Sequence, residues 1–173
     1  NNLYSQGSQP SDLLTRQLLE AMNEGVYVRR GLRVKEMMVD EVPEEYRLPR
    51  PQRFGDLLEL QGWRFWLAGK PGKPEYFLNL YLKADRRPER PWRVALGLRN
   101  GKNVRNKDHI PGRGYFPFNK WPPNRLVKNK VVVGRMSRLP AGDYEISLGF
   151  YHGKDRLMPE QGGPLKHSST GTR

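Results

Sequence analysis

The fold is decided by residues 76–84, YFLNLYLKA, in which side chains of two kinds alternate. Leu78, Leu80 and Leu82 fall on one face, and the residues between them fall on the other. A period of two is typical of a strand that buries one face in a core. Residues 92–98, WRVALGL, and 144–150, YEISLGF, repeat the pattern. The sequence therefore predicts a β protein built from short alternating strands.

Turn signals separate these strands. Residues 69–74, GKPGKP, and the pair Asn100-Gly101 mark tight turns, and residues 126–136 supply a further apolar strand. Because no helices alternate with the strands, a parallel α/β fold is disfavoured. We predict a mostly β fold, an antiparallel β-sandwich of immunoglobulin- or jelly-roll-like type, with a short N-terminal helix and an extended arm.

The chain is predicted to have three parts. Residues 1–54 form an N-terminal arm, with a helix over about 12–23 and a Pro-rich linker at 47–54. Residues 55–158 form the sandwich, and residues 159–173 form a flexible tail. The helix carries its apolar residues at helical spacing and is too short to be stable alone, so it docks on the sandwich or on another protein. Its predicted docking residues are Leu14, Leu18 and Met22.

Charge is concentrated in one segment of the chain. Residues 86–138 hold fifteen basic and two acidic side chains, an excess equal to the whole net charge of +13. Such a block predicts a positive potential that attracts lipid headgroups, acidic glycans or nucleic acid. The predicted anion-binding residues are Arg99, Lys102, Arg105, Lys107, Arg113, Lys120, Arg125 and Lys128.

A long loop at residues 102–125 places aromatic residues among these cations. Loops of this length usually have a function. Tyr115, Phe118 and Trp121 are the predicted contacts for a ligand or partner, because aromatic rings stack on sugars and bases. The alternative is that these rings fold over the end of the sandwich as a satellite of the core.

Catalytic and metal-binding motifs are missing from the sequence. The chain has no cysteine, no phosphate-binding glycine loop and no serine in a nucleophile elbow. Asp108 and His109 could form an acid–base pair, but Asp108 is better interpreted as an acceptor for backbone N–H groups of its own loop, as in an Asx turn. His109, His152 and His167 lack the spacing of a zinc site. We therefore predict no enzymatic activity, no cofactor and no metal.

The second half of the chain resembles a known type of domain. The pattern consists of an Asp-His loop, a Gly-Tyr-x-Pro step, a Trp-Pro step, a Leu-Pro-x-Gly-x-Tyr turn and Gly-x-Tyr. Together these motifs resemble a β-sandwich segment that follows the membrane helices of bacterial polyprenol-dependent glycosyltransferases, relatives of the protein O-mannosyltransferases. The motifs lie at Asp108-His109, Gly114-Tyr115 with Pro117, Trp121-Pro122, Leu139-Pro140 with Gly142 and Tyr144, and Gly149 with Tyr151.

The resemblance covers about residues 55–158 and implies an accessory domain rather than a transferase. In that family the chemistry resides in the membrane part, on acidic residues that this sequence lacks. One departure is that Trp121 is followed by Pro122, Pro123, Asn124 and Arg125, where those domains carry an acidic Pro-Gly-Glu. The basic loop puts any inherited partner in doubt.

These observations predict a non-catalytic, extracytoplasmic (periplasmic) domain at a membrane surface. Its basic face would contact lipid headgroups, an acidic glycan or an acidic subunit of a membrane protein complex. A glycan-binding module and a basic structural subunit of a ribonucleoprotein are the alternatives, with nucleic acid the less favoured partner. No stretch approaches the roughly 18–20 apolar residues that span a bilayer. Because the chain begins with Asn1, we expect a preceding segment, and a signal peptide, a membrane anchor, a disordered lead and an artificial boundary within a longer protein are equally compatible with the sequence.

Overall fold

The protein is mostly β. The computed structural model describes residues 34–135, Leu139, residues 142–160 and the backbone of residues 165–167. Within these ranges residues 34–37 are helical, and the chain then forms nine strands and three short 3-10 turns, the latter at Glu44–Tyr46, Pro111–Gly114 and Phe118–Lys120. The strands are β1 Arg47–Phe54, β2 Leu58–Lys70, β3 Lys73–Ala84, β4 Arg93–Asn100, β5 Asn103–Asn106, β6 Leu126–Arg135, β7 Tyr144–His152, β8 Asp155–Leu157 and β9 Leu165–His167.

The strands form two antiparallel sheets. The first sheet has the order β1-β2-β3-β6, and the second has the order β5-β4-β7-β8, with β9 also paired to β7. The predicted strands at 76–84, 92–98, 126–136 and 144–150 are confirmed as β3, β4, β6 and β7, with β4 beginning at Arg93 and β6 described as far as Arg135.

Both sheets bury one face. Leu78, Leu80 and Leu82 of β3 are completely buried, as the alternation predicts. The Phe54 ring of β1 packs edge-on against Phe150 of β7 at 4.9 Å between centroids. Since these rings come from different sheets, the two buried faces meet, which is consistent with the predicted β-sandwich.

The domain boundaries differ from the prediction. The compact unit that holds both sheets spans Met37–Arg173. Residues 47–54, predicted as a linker, form strand β1, because prolines are tolerated on an edge strand. Residues 165–167, predicted as part of a flexible tail, pair with β7 as strand β9. The predicted helix at 12–23, with Leu14, Leu18 and Met22, lies outside the described residues.

A segment before β1 covers part of the outer face of the first sheet. Val42 packs with Tyr81 of β3 and Leu126 of β6 in a small hydrophobic cluster, joined by Val39 and Tyr46. The backbone N–H of Val39 also donates to the carbonyl of Leu126 at 3.1 Å.

Candidate functional site

The outer face of the first sheet collects aromatic and cationic side chains. The pairing of β2 with β3 sets Arg64 beside Asn79 and Trp66 beside Phe77, and the pairing of β3 with β6 sets Asn79 beside Lys130. These residues share a face because directly paired residues point to the same side of a sheet. We call this surface the cation–aromatic face, and it comprises Tyr46, Arg64, Trp66, Phe77, Asn79, Lys128 and Lys130.

The rings hold the cations in place. Trp66 and Phe77 stack with centroids 5.4 Å apart and planes at 27°. The Arg64 guanidinium carbon lies 4.5 Å from the Trp66 centroid and 5.1 Å from that of Tyr46. The Lys130 Nζ lies 4.7 Å from the Phe77 centroid and 5.8 Å from that of Trp66. Cations at these distances are attracted by the ring quadrupole, so the two charges occupy preferred positions on the sheet.

This arrangement decides what the face offers to a ligand. A sugar or a base stacks on a ring whose face is open. Here Trp66 is in contact with both Phe77 and Arg64, and Phe77 is in contact with Trp66 and Lys130. The rings therefore serve mainly to order the cations. A partner of this face would meet the positive charges of Arg64 and Lys130 rather than an open aromatic ring.

Asn79 forms the floor between the two cations. Only 7% of this residue is exposed, and its Oδ1 has no hydrogen-bond partner among the described residues. Its side chain also hydrogen-bonds Tyr81, whose pKa is raised above the ordinary value mainly by burial. The Oδ1 is thus a desolvated acceptor, and such an atom normally pairs with a donor.

The structure does not unite the eight predicted anion-binding residues. Arg99 lies on the outer face of the second sheet, opposite the buried alternation of Val94, Leu96 and Leu98. Arg125 pairs with Asp40 at 3.5 Å. The other six are distributed as follows: Lys128 on the cation–aromatic face, Lys102 in the β4–β5 turn, Arg113 and Lys120 in the 3-10 turns of the long loop, and Arg105 and Lys107 in a pocket shared with Arg135.

The predicted aromatic contacts are wrong for two residues. Phe118 and Trp121 are completely buried. The Phe118 ring meets Phe150 edge-on at 5.4 Å, and the Trp121 Nε1–H donates to the Phe116 carbonyl at 2.9 Å. The alternative prediction, that these rings pack onto the core, is therefore the one observed for Phe118 and Trp121. Burying large aromatic rings lowers the free energy of the folded state more than leaving them in water does. Only Tyr115 of the three predicted contacts is exposed, at 41%.

Asp108 and His109 have structural partners. Asp108 Oδ1 accepts the backbone N–H of Leu96 at 3.2 Å, so it is a backbone acceptor, but its donor lies in strand β4 and not in the loop as predicted. Both His109 ring nitrogens are engaged, Nδ1 with the Lys107 carbonyl at 2.7 Å and Nε2 with Asn129 at 2.8 Å. Burial, more than any neighbouring charge, holds the pKa of His109 below its ordinary value. The pair is therefore not arranged for acid–base chemistry.

Sequence reasoning missed Arg64, Trp66, Phe77 and Lys130 as site residues. The signal was present, since the strict alternation of β3 sends Phe77 and Asn79 away from the leucine face, and Arg64 and Trp66 are in phase with each other. Alternation within a strand does not specify the register between strands. Only that register shows that these residues are neighbours.

No protein-family model matches this chain, and neither curated proteins nor solved structures give a significant match. Within the described residues, no helix is long and apolar enough to cross a membrane. The same part of the chain contains no cluster of three or more His, Asp or Glu side chains suited to a metal ion. The site is therefore interpreted from its own geometry.

Proposed function

We propose that this protein is a non-catalytic interaction domain that binds an anionic membrane surface through the cation–aromatic face. The observation that carries the proposal is that Trp66, Phe77 and Tyr46 fix Arg64 and Lys130 on one face of a sheet. Lys128 adds a third cation to that face.

A sheet face suits a planar partner. Several cations presented side by side can each meet a different headgroup, and each contributes about 1 kcal/mol close to an anionic surface. Stacked rings reduce the freedom that Arg64 and Lys130 lose when they bind, since flexible side chains carry up to about 2 kcal/mol of rotamer entropy. Weak contacts can then sum to useful affinity.

The β2–β3 hairpin adds a second point of contact. Its tip at residues 69–74 extends past the last pair between β3 and β6, which joins Glu75 to Arg135. The tip carries Lys70 and Lys73, which are directly paired and in phase with Arg64 and Trp66, so these two cations extend the cation–aromatic face. Additional cations at the rim of the face strengthen its attraction to an anionic surface.

The resemblance to sandwich domains of membrane glycosyltransferases agrees with this location. We therefore propose that the domain lies outside the cytoplasm, beside a membrane or within a membrane assembly. The engaged ring faces count against base stacking and therefore against the ribonucleoprotein alternative.

An acidic glycan is the second candidate partner. Its carboxylates would meet the same cations, Arg64, Lys128 and Lys130, that face an anionic lipid surface. The two candidates share these cations and differ in whether the anionic partner is a membrane surface or a soluble polymer.

Vesicle co-sedimentation tests the proposal. We expect the protein to bind vesicles of phosphatidylglycerol and phosphatidylcholine but not vesicles of phosphatidylcholine alone. The double variant Arg64→Gln/Lys130→Gln should bind about 30-fold more weakly, because it loses about 2 kcal/mol from two surface cations.

The matched control is Arg99→Gln/Lys102→Gln, which removes the same charge from the second sheet and its β4–β5 turn. Equal losses in both double variants would show that only net charge matters and would refute the assigned face. Binding to soluble hyaluronate that is weakened by Arg64→Gln/Lys130→Gln, without binding to vesicles, would establish the glycan candidate instead. Retention on single-stranded RNA alone would refute both.

A further inference from the structure

The pocket between the two edge strands has chemistry of its own. It is about 330 Å³ in volume and lies between β5, the edge of the second sheet, and β6, the edge of the first. A pocket of this volume is at the lower end of the range that holds small organic ligands. Its lining residues are Glu75, Arg105, Lys107, Val132, Val133, Gly134, Arg135 and Leu139.

The lining combines a positive end with an apolar wall. Three basic residues and one acidic residue give a net charge of +2. That charge complements a dianion, and a phosphomonoester carries about −1.5 to −2 at pH 7. The apolar wall is small and consists of Val132 with the edges of Val133 and Leu139, which are 1% and 3% exposed, and it can contact the organic part of an ester.

Both sides of the pocket are fixed by the backbone. The N–H of Lys107 donates to the Leu96 carbonyl at 2.8 Å, and the Lys107 carbonyl accepts from His109 at 2.7 Å. On the other side, the register of β6 against β3 shifts between Val132 and Gly134, which marks a β-bulge. Bulges redirect side chains at sheet edges and are frequent beside functional sites.

We propose that this pocket binds the phosphomonoester group of a small organic molecule, with Lys107 and Arg135 as its principal phosphate ligands. Lysine supplies a point charge and arginine a planar fork, and the two together are suited to a tetrahedral oxyanion. None of the phosphate ligands belongs to the cation–aromatic face, but the two sites adjoin, because Val132 of the pocket is paired with Phe77 of that face.

Titration followed by amide NMR tests this proposal on the full chain. Phenyl phosphate should give saturable shifts centred on the amides of Val132, Val133, Gly134 and Arg135. Inorganic phosphate should bind the same site more weakly because it leaves the apolar wall unused. Benzoate has the same ring but carries a single charge, and it should bind at least about 10-fold more weakly than phenyl phosphate.

Variants locate the site. Lys107→Gln and Arg135→Gln should each lower the affinity for phenyl phosphate by about 10-fold, as expected for the loss of one charge-assisted hydrogen bond. Lys102→Gln removes the same charge from the neighbouring turn and should leave the affinity unchanged. Benzoate binding as tightly as phenyl phosphate, shifts spread over all exposed basic segments, or an equal loss in Lys102→Gln would each overturn the assignment.

Discussion

Asn129 Nδ2 lies 2.8 Å from His109 Nε2, and this hydrogen bond joins the two sheets. Asn129 is a fully buried residue of β6 in the first sheet. His109 is bridged to Val94 of β4 in the second sheet by two backbone hydrogen bonds. Because the His109 Nδ1–H donates to the Lys107 carbonyl, Nε2 is left as the acceptor for the Asn129 amide.

Replacing Asn129 tests this link. Asn129→Leu removes the donor to His109 and the Oδ1 that lies 3.4 Å from the Gly112 backbone N–H. We expect a loss of about 1–3 kcal/mol in the free energy of unfolding, because buried polar groups lose their partners. Urea unfolding measures the loss. In a cycle with His109→Leu, strictly additive effects would contradict the coupling between the two side chains.

Stability should fall on mild acidification. Burial holds the pKa of His109 below its ordinary value of about 6.5, so the unfolded chain binds a proton before the folded protein does. The contribution of neutral His109 is fully present above the unfolded pKa and is lost as the pH falls through the folded pKa. Urea midpoints at pH 7.5 and 5.5 should differ for the wild type and differ much less for His109→Gln.

A second acid-sensitive link operates at lower pH. Arg53 Nη2 lies 2.6 Å from Asp85 Oδ2, and this hydrogen bond is the main reason why the pKa of Asp85 is below its ordinary value. The stabilisation is present above pH 4 and is lost as the pH falls further. Because both side chains are about one-third exposed, we expect Asp85→Asn to cost no more than about 1 kcal/mol. It should flatten the stability profile between pH 5 and 3, and an unchanged profile would contradict the assignment.

Trp121 is predicted to stabilise the hydrophobic core rather than to bind a ligand. Trp121→Ala should lose about 3–5 kcal/mol of unfolding free energy, because the ring is fully buried against Phe116 and Phe118. The control is Tyr115→Ala, whose ring is 41% exposed and whose loss should be within about 0.5 kcal/mol. Thermal melts compare the two. A Trp121→Ala protein that melts like the wild type while losing a ligand would restore the binding interpretation.

Gly62 sets how closely the segment before β1 approaches the first sheet. A Cβ at this position would lie 2.5 Å from the Tyr46 carbonyl oxygen and 2.6 Å from Val42 Cγ1. Gly62→Ala should therefore displace Tyr46 and Val42, at a cost of about 1–3 kcal/mol. Since Tyr46 also contacts Arg64, vesicle binding should weaken too. An unchanged melting temperature would show that this segment is not tightly packed.

The strand pattern was predictable because burial has a local signature. Each strand buries one face, and this produced the alternation of apolar and polar residues at 76–84, 92–98 and 144–150. The structure confirms all three strands. Proline content was misleading at 47–54, where the prolines lie in an edge strand. The polar composition of the C-terminal segment was misleading at 165–167, where pairing with β7 forms a strand.

The sequence alone determined that this is a basic β protein, since composition and side-chain period are properties of the chain itself. Only the tertiary structure decided which charges work together. Register and sheet order set Arg64 beside Trp66 and Lys130 on one face, carried Arg99 to the other sheet, and enclosed Lys107 with Arg135 in a pocket. These neighbours lie far apart along the chain, and backbone pairing between strands brings them together in a way that no local pattern records.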